Sequence, residues 1–147
     1  MKLFKSKVPD KLILFVCIEN AARSQMAEGF FRHCGPKGYQ ASSAGTKPVS
    51  DLNPLAVQVM GESGIDISHQ KSKDITGDVI QNAAIIVNMG CMEKESCPTL
   101  FLHNLIDWNI EDPKGKSVDQ VREIRDEIER RVKELVTSLK ASQAINI

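Results

Sequence analysis

The sequence carries no excess of charge of either sign, with lysine plus arginine and aspartate plus glutamate at 19 each. That balance excludes the basic footprint expected of a nucleic-acid-binding or acidic-membrane-binding surface. No apolar run approaches the length needed to cross a bilayer. Cysteine is sparse: Cys17, Cys34, Cys91 and Cys97 are the full set, and none forms a C-x2-C pair, so no metal centre is expected. Internal repeats, low-complexity tracts and dividing linkers are missing too. A chain of 147 residues without a linker points to one domain over 1–147 with a full core, and with loose tails at 1–10 and 141–147. The apolar run Leu12–Ile18 is at the lower limit for the core of a secretion signal, and it ends in Glu19-Asn20. The expected compartment is the cytoplasm, where free thiols persist and disulfides tend to be catalytic.

Against these absences stands one loaded stretch. The short, continuously apolar Leu12–Val16 reads as a buried strand that delivers Cys17 into a loop of Ile18, Glu19, Asn20, Ala21 and Ala22. A helix then begins at Arg23-Ser24. A loop of that length curls so that several backbone N–H groups point inward and form an anion-binding nest. The following helix adds its unpaired N–H groups and the positive end of its dipole. The Arg23 guanidinium grips two oxygens of a tetrahedral oxyanion at once. The same field favours a Cys17 thiolate, to which Ser24 can donate a hydrogen bond. A cysteine after an apolar strand is also an ordinary small core residue, and the C-x5-R spacing recurs by chance. The strand before it and the helix after it favour the chemical reading. Glu19 would repel an oxyanion, so its side chain is expected to turn outward to solvent.

Strand and helix patterns alternate along the rest. Met26, Ala27, Phe30, Phe31 and Cys34 share one helical face, which Gly35-Pro36 ends. Tyr39–Ala44 reads as a second strand. Asn53-Pro54 caps a helix with Leu55, Ala56, Val59 and Met60 inside, ended by Gly64. A short helix is predicted over Ile75–Asn82, a buried strand over Ala83–Asn88 and a last strand between Leu102 and Asp107. Ser117 and Gln120 form a capping box before a long helix whose stripe runs from Val118 to Leu139. The fold class is therefore α/β, an open parallel sheet of about four strands flanked by helices. In such sheets ligands bind beyond the carboxyl ends of the strands, where the loops holding Cys17, Cys91 with Cys97, and Asp112 converge. Asp112 is placed to protonate a leaving oxygen, although Asp-Pro-Lys-Gly is also an ordinary turn. Cys91 and Cys97 sit in a polar loop from which each can approach Cys17 in turn.

These residues resemble the low-molecular-weight phosphatase superfamily with its flavodoxin-like fold, and within it the thioredoxin-coupled arsenate reductase branch. The matching segments are Val16-Cys17 with Arg23 through Gly29, Ser43-Ala44-Gly45, Gly64 through Ser68, Cys91, Cys97-Pro98, Trp108 and Asp112-Pro113. The resemblance implies that Cys17 attacks arsenate held by Arg23 and the loop residues Ile18 to Ser24, with Asp112 assisting loss of water. It implies that Cys91 and then Cys97 resolve the adduct through a migrating disulfide, reduced by external thioredoxin with no bound cofactor. A monomer is expected. The chain departs from the pattern at Glu19, Ala21, Ala22 and the Cys91–Cys97 spacing. Asn20, Glu28 and Ser43 match part of a potassium site of some relatives, but Lys73 stands where an acidic ligand is usual, so no potassium requirement is expected. The alternative is a protein-tyrosine phosphatase using Cys17 and Asp112 through a phosphocysteine. Such enzymes usually place an aromatic residue where Lys114 stands, and they have no use for Cys91 and Cys97.

Overall fold

Alternate side chains of strand β1 (Lys11–Cys17) serve opposite faces of the sheet, which is why the run is apolar from Leu12 onward. Ile13, Phe15 and Cys17 pack with Met26, Phe30 and Phe31 of helix α1 (Arg23–Cys34), whereas Leu14 and Val16 pack with Ala44, Ile80 and Ile86. The computed structural model describes residues 9–90 and 105–145, and Cys91 and Cys97 lie outside them.

The remaining elements are β2 (Tyr39–Gly45), α2 (Pro54–Glu62), α3 (Gly77–Asn82), β3 (Ala83–Asn88), β4 (Leu105–Asp107) and α4 (Val118–Ile145). The four strands pair in the order β2-β1-β3-β4, all parallel. Helices α1, α2 and α4 supply the larger core cluster on one face, and α3 covers the other. Phe15 sits between Phe31 and Trp108, with ring centroids 6.1 and 5.8 Å away. The buried Trp108 thus anchors the chain leaving β4. No helix among the described residues is long and apolar enough to cross a membrane.

The local signals explain most element ends. The Asn53 side chain accepts the Leu55 N–H at 2.9 Å, with Pro54 at the first helical position. Ser117 and Gln120 exchange the two bonds of a capping box, at 3.0 and 3.3 Å. Two expectations need correction, and a third is met as far as it is described. Helix α3 starts at Gly77 rather than Ile75, because the Ile75 N–H donates to Gly45 O at 3.0 Å and Thr76 caps the helix. The last strand is described only over Leu105–Asp107, residues 102–104 lying outside the described range. The expected fraying after Lys140 is not seen before Ile145: α4 continues, and Gln143 Nε2 donates to Lys37 O at 2.9 Å.

Candidate active site

The loop from Cys17 to Ala22 is held from outside by its carbonyl groups. The N–H groups of Thr46, Lys47, Val49 and Asn53 donate to the carbonyl oxygens of Cys17, Ile18, Glu19 and Ala21, at 2.8 to 3.2 Å. The Asn20 carbonyl accepts from Ser72 Oγ and Gln25 Nε2 at 2.8 and 2.9 Å, and that of Ala22 from Met26 N at 2.8 Å. Across a trans peptide the carbonyl and the following N–H point in opposite directions. Outward carbonyls at these positions therefore turn the N–H groups of residues 18 to 23 toward the concave side. The Asn20 N–H reaches Cys17 Sγ at 3.2 Å. Ala22 supplies no side-chain cap to α1, so no capping side chain occupies the first-turn N–H groups of that helix.

Asn20 is the hub of the loop. It is fully buried and takes a left-handed backbone (φ 51°), which Asn tolerates better than most residues. Its Nδ2 donates to Ser24 Oγ at 2.7 Å, and its Oδ1 accepts from Gln25 Nε2 at 2.9 Å and Lys73 N at 2.8 Å. Ser24 Oγ lies 2.9 Å from Cys17 Sγ. With Asn20 donating to that oxygen, the Ser24 hydroxyl is free to donate to a thiolate. Arg23 is 4% exposed, and its Nη1 donates to Ile110 O at 3.1 Å while Nη2 lies 3.7 Å from Asp112 Oδ2. The guanidinium thus connects the loop after β1 with the loop after β4. Asp112 forms the expected turn, its Oδ1 accepting the Lys114 N–H at 3.0 Å, and also stands at the hollow that Cys17 lines.

That hollow has a volume of about 660 Å³, and Cys17, Arg23, Asp112 and Lys114 line it with the apolar Val49, Leu52 and Pro54. Glu19 does not turn to open solvent as expected. Its Oε2 lies 3.2 Å from Lys114 Nζ, and both residues line the hollow. Of the residues foreseen as chemical, Cys17, Arg23 and Asp112 line this hollow together with Ile18, Glu19, Ala21 and Ala22, whereas Asn20 and Ser24 sit behind it.

Several supporting residues carried no sequence signal of their own. Residues 46–53 satisfy the outer carbonyls with backbone N–H groups, which any residue type but proline supplies. Gln25 and Gln70 are polar residues on or beside an apolar helix face, and Gln70 Nε2 donates to Gln25 Oε1 at 2.7 Å. The buried polar run Arg23, Ser24, Gln25 and Glu28 was the available clue. Two of the positions compared with a potassium site, Glu28 and Ser43, meet Lys73 in the structure. Glu28 Oε1 accepts from Ser43 Oγ at 2.6 Å and lies 3.5 Å from Lys73 Nζ, and its other oxygen pairs with Arg32. The Lys73 ammonium already provides the positive charge there.

Comparison with known proteins agrees with this geometry. The sequence is 39% identical to an arsenate reductase of Brevibacillus brevis, over 84% of this chain and 92% of that protein. The fold superposes on an arsenate reductase in the phosphate-binding state with a TM-score of 0.79, at 33% identity, covering 87% of this chain and 98% of the other. It also superposes on the YwlE arginine phosphatase from Geobacillus stearothermophilus with a TM-score of 0.84, at 26% identity, covering 93% and 97%. Residues 12–144 match the family described as low molecular weight phosphotyrosine protein phosphatase. The chain belongs to that family, on the branch of its arsenate reductases.

Proposed function

We propose that the protein reduces arsenate to arsenite through a relay of three thiols. The observation that carries the reading is the hollow itself, which Cys17, Arg23 and Asp112 line together, with Cys17 Sγ accepting the Asn20 N–H at 3.2 Å and Arg23 Nη2 lying 3.7 Å from Asp112 Oδ2. Such donors stabilise a tetrahedral oxyanion and the charge that develops as it reacts. In the proposed first step the Cys17 thiolate attacks arsenic, an S–As bond forms, and the leaving hydroxide departs as water with a proton from Asp112. Cys91 then attacks Cys17 Sγ. The S–As electron pair passes to arsenic, As(V) becomes As(III), arsenite leaves, and a Cys17–Cys91 disulfide remains. Cys97 attacks Cys91, frees the Cys17 thiolate and leaves a Cys91–Cys97 disulfide. An external dithiol, thioredoxin, reduces it by the same exchange chemistry.

Two features favour the reductase over the phosphatase reading. Among the described residues none that lines the hollow is aromatic, and Lys114 lines it beside Asp112 where such phosphatases usually place an aromatic residue. Cys91 and Cys97 have a role only in the relay. The protein is proposed to work as a cytoplasmic monomer that binds no cofactor.

Mass spectrometry after one arsenate turnover tests the reading. The expected product holds its disulfide between Cys91 and Cys97, and the Cys97→Ser variant stops at Cys17–Cys91. Thioredoxin-dependent arsenite release should vanish in Cys17→Ser, Cys91→Ser and Cys97→Ser. Full turnover in both of the latter two would overturn the relay. Aryl-phosphate hydrolysis indifferent to Cys91 and Cys97, without arsenite production, would establish the phosphatase instead.

A further inference from the structure

A carboxylate in the cradle of an anion site poses an electrostatic problem, and the structure shows what answers it. Glu19 is part of the loop whose N–H groups face the hollow, and its side chain is 31% exposed on the wall of the same hollow. A carboxylate there disfavours a doubly negative guest by Coulomb repulsion. Lys114 approaches from the opposite loop, its Nζ 3.2 Å from Glu19 Oε2, although the two residues are 95 positions apart. The Lys114 N–H also donates to Asp112 Oδ1 at 3.0 Å, so one residue holds the acid through its backbone and the carboxylate through its side chain.

We propose that Lys114 is a positioning residue that neutralises Glu19 across the two loops, thereby setting the affinity of the site for dianions. The proposal rests on the reading of the hollow as an oxyanion site and adds to it a named determinant of oxyanion affinity. The pair is not a stability device. Lys114 is 72% exposed, and an ion pair so exposed contributes little to folding. Its effect falls instead on the charge met by an entering anion. Because both groups stand at the solvent boundary, added salt weakens that effect.

The probe is inorganic phosphate, and the readout is the phosphate concentration that half-protects Cys17 from iodoacetamide in the full-length chain. Lys114→Met should raise that concentration about three- to tenfold at low salt, because an uncompensated carboxylate then faces the dianion. Glu19→Gln should lower it, since Lys114 is left unpaired. The double variant, Glu19→Gln with Lys114→Met, should return to within about twofold of the parent, because the charge balance is restored. Lys114→Arg should preserve the parent value. At high salt the single variants should converge on the parent. A double variant as weak as Lys114→Met would overturn the proposal, since it would show that Lys114 acts without Glu19. So would a Lys114→Met variant with unchanged protection. If phosphate gave no protection even in the parent protein, the oxyanion reading of the site would fail, and the proposal with it.

Discussion

The Lys73 backbone N–H donates to Asn20 Oδ1 at 2.8 Å, joining the catalytic loop to a strap 53 residues further along the chain. The strap touches the loop again where Ser72 Oγ donates to Asn20 O at 2.8 Å. Asn20 in turn passes its Nδ2 hydrogen to Ser24, which faces Cys17 Sγ. A residue whose side chain bonds Ser24, Gln25 and Lys73 thus shapes the surroundings of Cys17 Sγ.

Asn20→Ala should be among the most damaging substitutions outside Cys17 and Arg23. It leaves the Lys73 N–H without its acceptor, removes one of the acceptors of Gln25 Nε2, and puts a residue with no local side-chain bond into a left-handed backbone. The expected loss is about 2–4 kcal/mol of stability. Urea unfolding followed by circular dichroism checks it. Asn20→Asp should lose less, since an acceptor remains for Lys73 N while the donor to Ser24 is gone.

Ser24→Ala tests the thiolate contact separately. The substitution removes the hydroxyl 2.9 Å from Cys17 Sγ and leaves Asn20 Nδ2 without its acceptor. Hydrogen bonds to charged groups contribute about 1.5–3 kcal/mol, so the alkylation rate of Cys17 near neutral pH should fall roughly tenfold. Cys34 is the internal control. Burial raises its thiol above the ordinary value of 9.0, and its slow alkylation should not respond to Ser24→Ala. Peptide mass spectrometry after timed iodoacetamide labelling separates the two sites.

The sheet and the reactive trio were legible in the sequence because their causes are local. An apolar run of strand length, a Cys and an Arg at the ends of a short loop, and Asn53-Pro54 all act over a few residues. What was hidden acts across the chain. The four N–H donors between Thr46 and Asn53 that turn the loop amides inward are backbone groups, invisible in side-chain identity. The Glu19–Lys114 pair joins two loops whose relative placement only the folded sheet decides. Ile75 looked helical by composition, yet its N–H was already committed to Gly45 O. The continuation of α4 past Lys140 likewise depends on Gln143 meeting Lys37, a contact between distant segments.

The acid limb of the stability profile should report the clamp between α2 and α4. Arg122 and Arg125 both bond Glu62, and chiefly the Arg122 hydrogen bonds lower its carboxyl from the ordinary 4.5 to about 2. A carboxyl lower in the folded than in the unfolded chain binds fewer protons when folded. Its contribution is present above about pH 4.5 and is lost as the pH falls toward about 2. Glu62→Gln should therefore lower thermal stability slightly at pH 7, by the modest amount an exposed clamp contributes, and flatten the acid loss so that the variant and the parent converge as the pH falls toward about 2. Melting curves at half-unit pH steps check the sign.

Two glycines should respond in opposite directions to the same added methyl group. At Gly45 a Cβ would collide with the Ile18 carbonyl oxygen and lie 3.0 Å from the Asn20 backbone nitrogen. Neither atom belongs to a flexible side chain. The Ile18 carbonyl also accepts the Lys47 N–H at 2.8 Å, so displacing it disturbs the support that turns the loop amides inward. Gly45→Ala should cost about 1–3 kcal/mol and raise the phosphate concentration needed to protect Cys17. At Gly61, inside α2, a Cβ would meet nothing within 4 Å. Gly61→Ala should stabilise the protein by about 0.4–1 kcal/mol, because alanine loses less backbone freedom on entering a helix. Phosphate protection should stay unchanged there, because Gly61 is not among the residues lining the hollow. Chemical unfolding and the half-protection assay on both variants separate the close approach of β2 to the catalytic loop from any general intolerance of a methyl group.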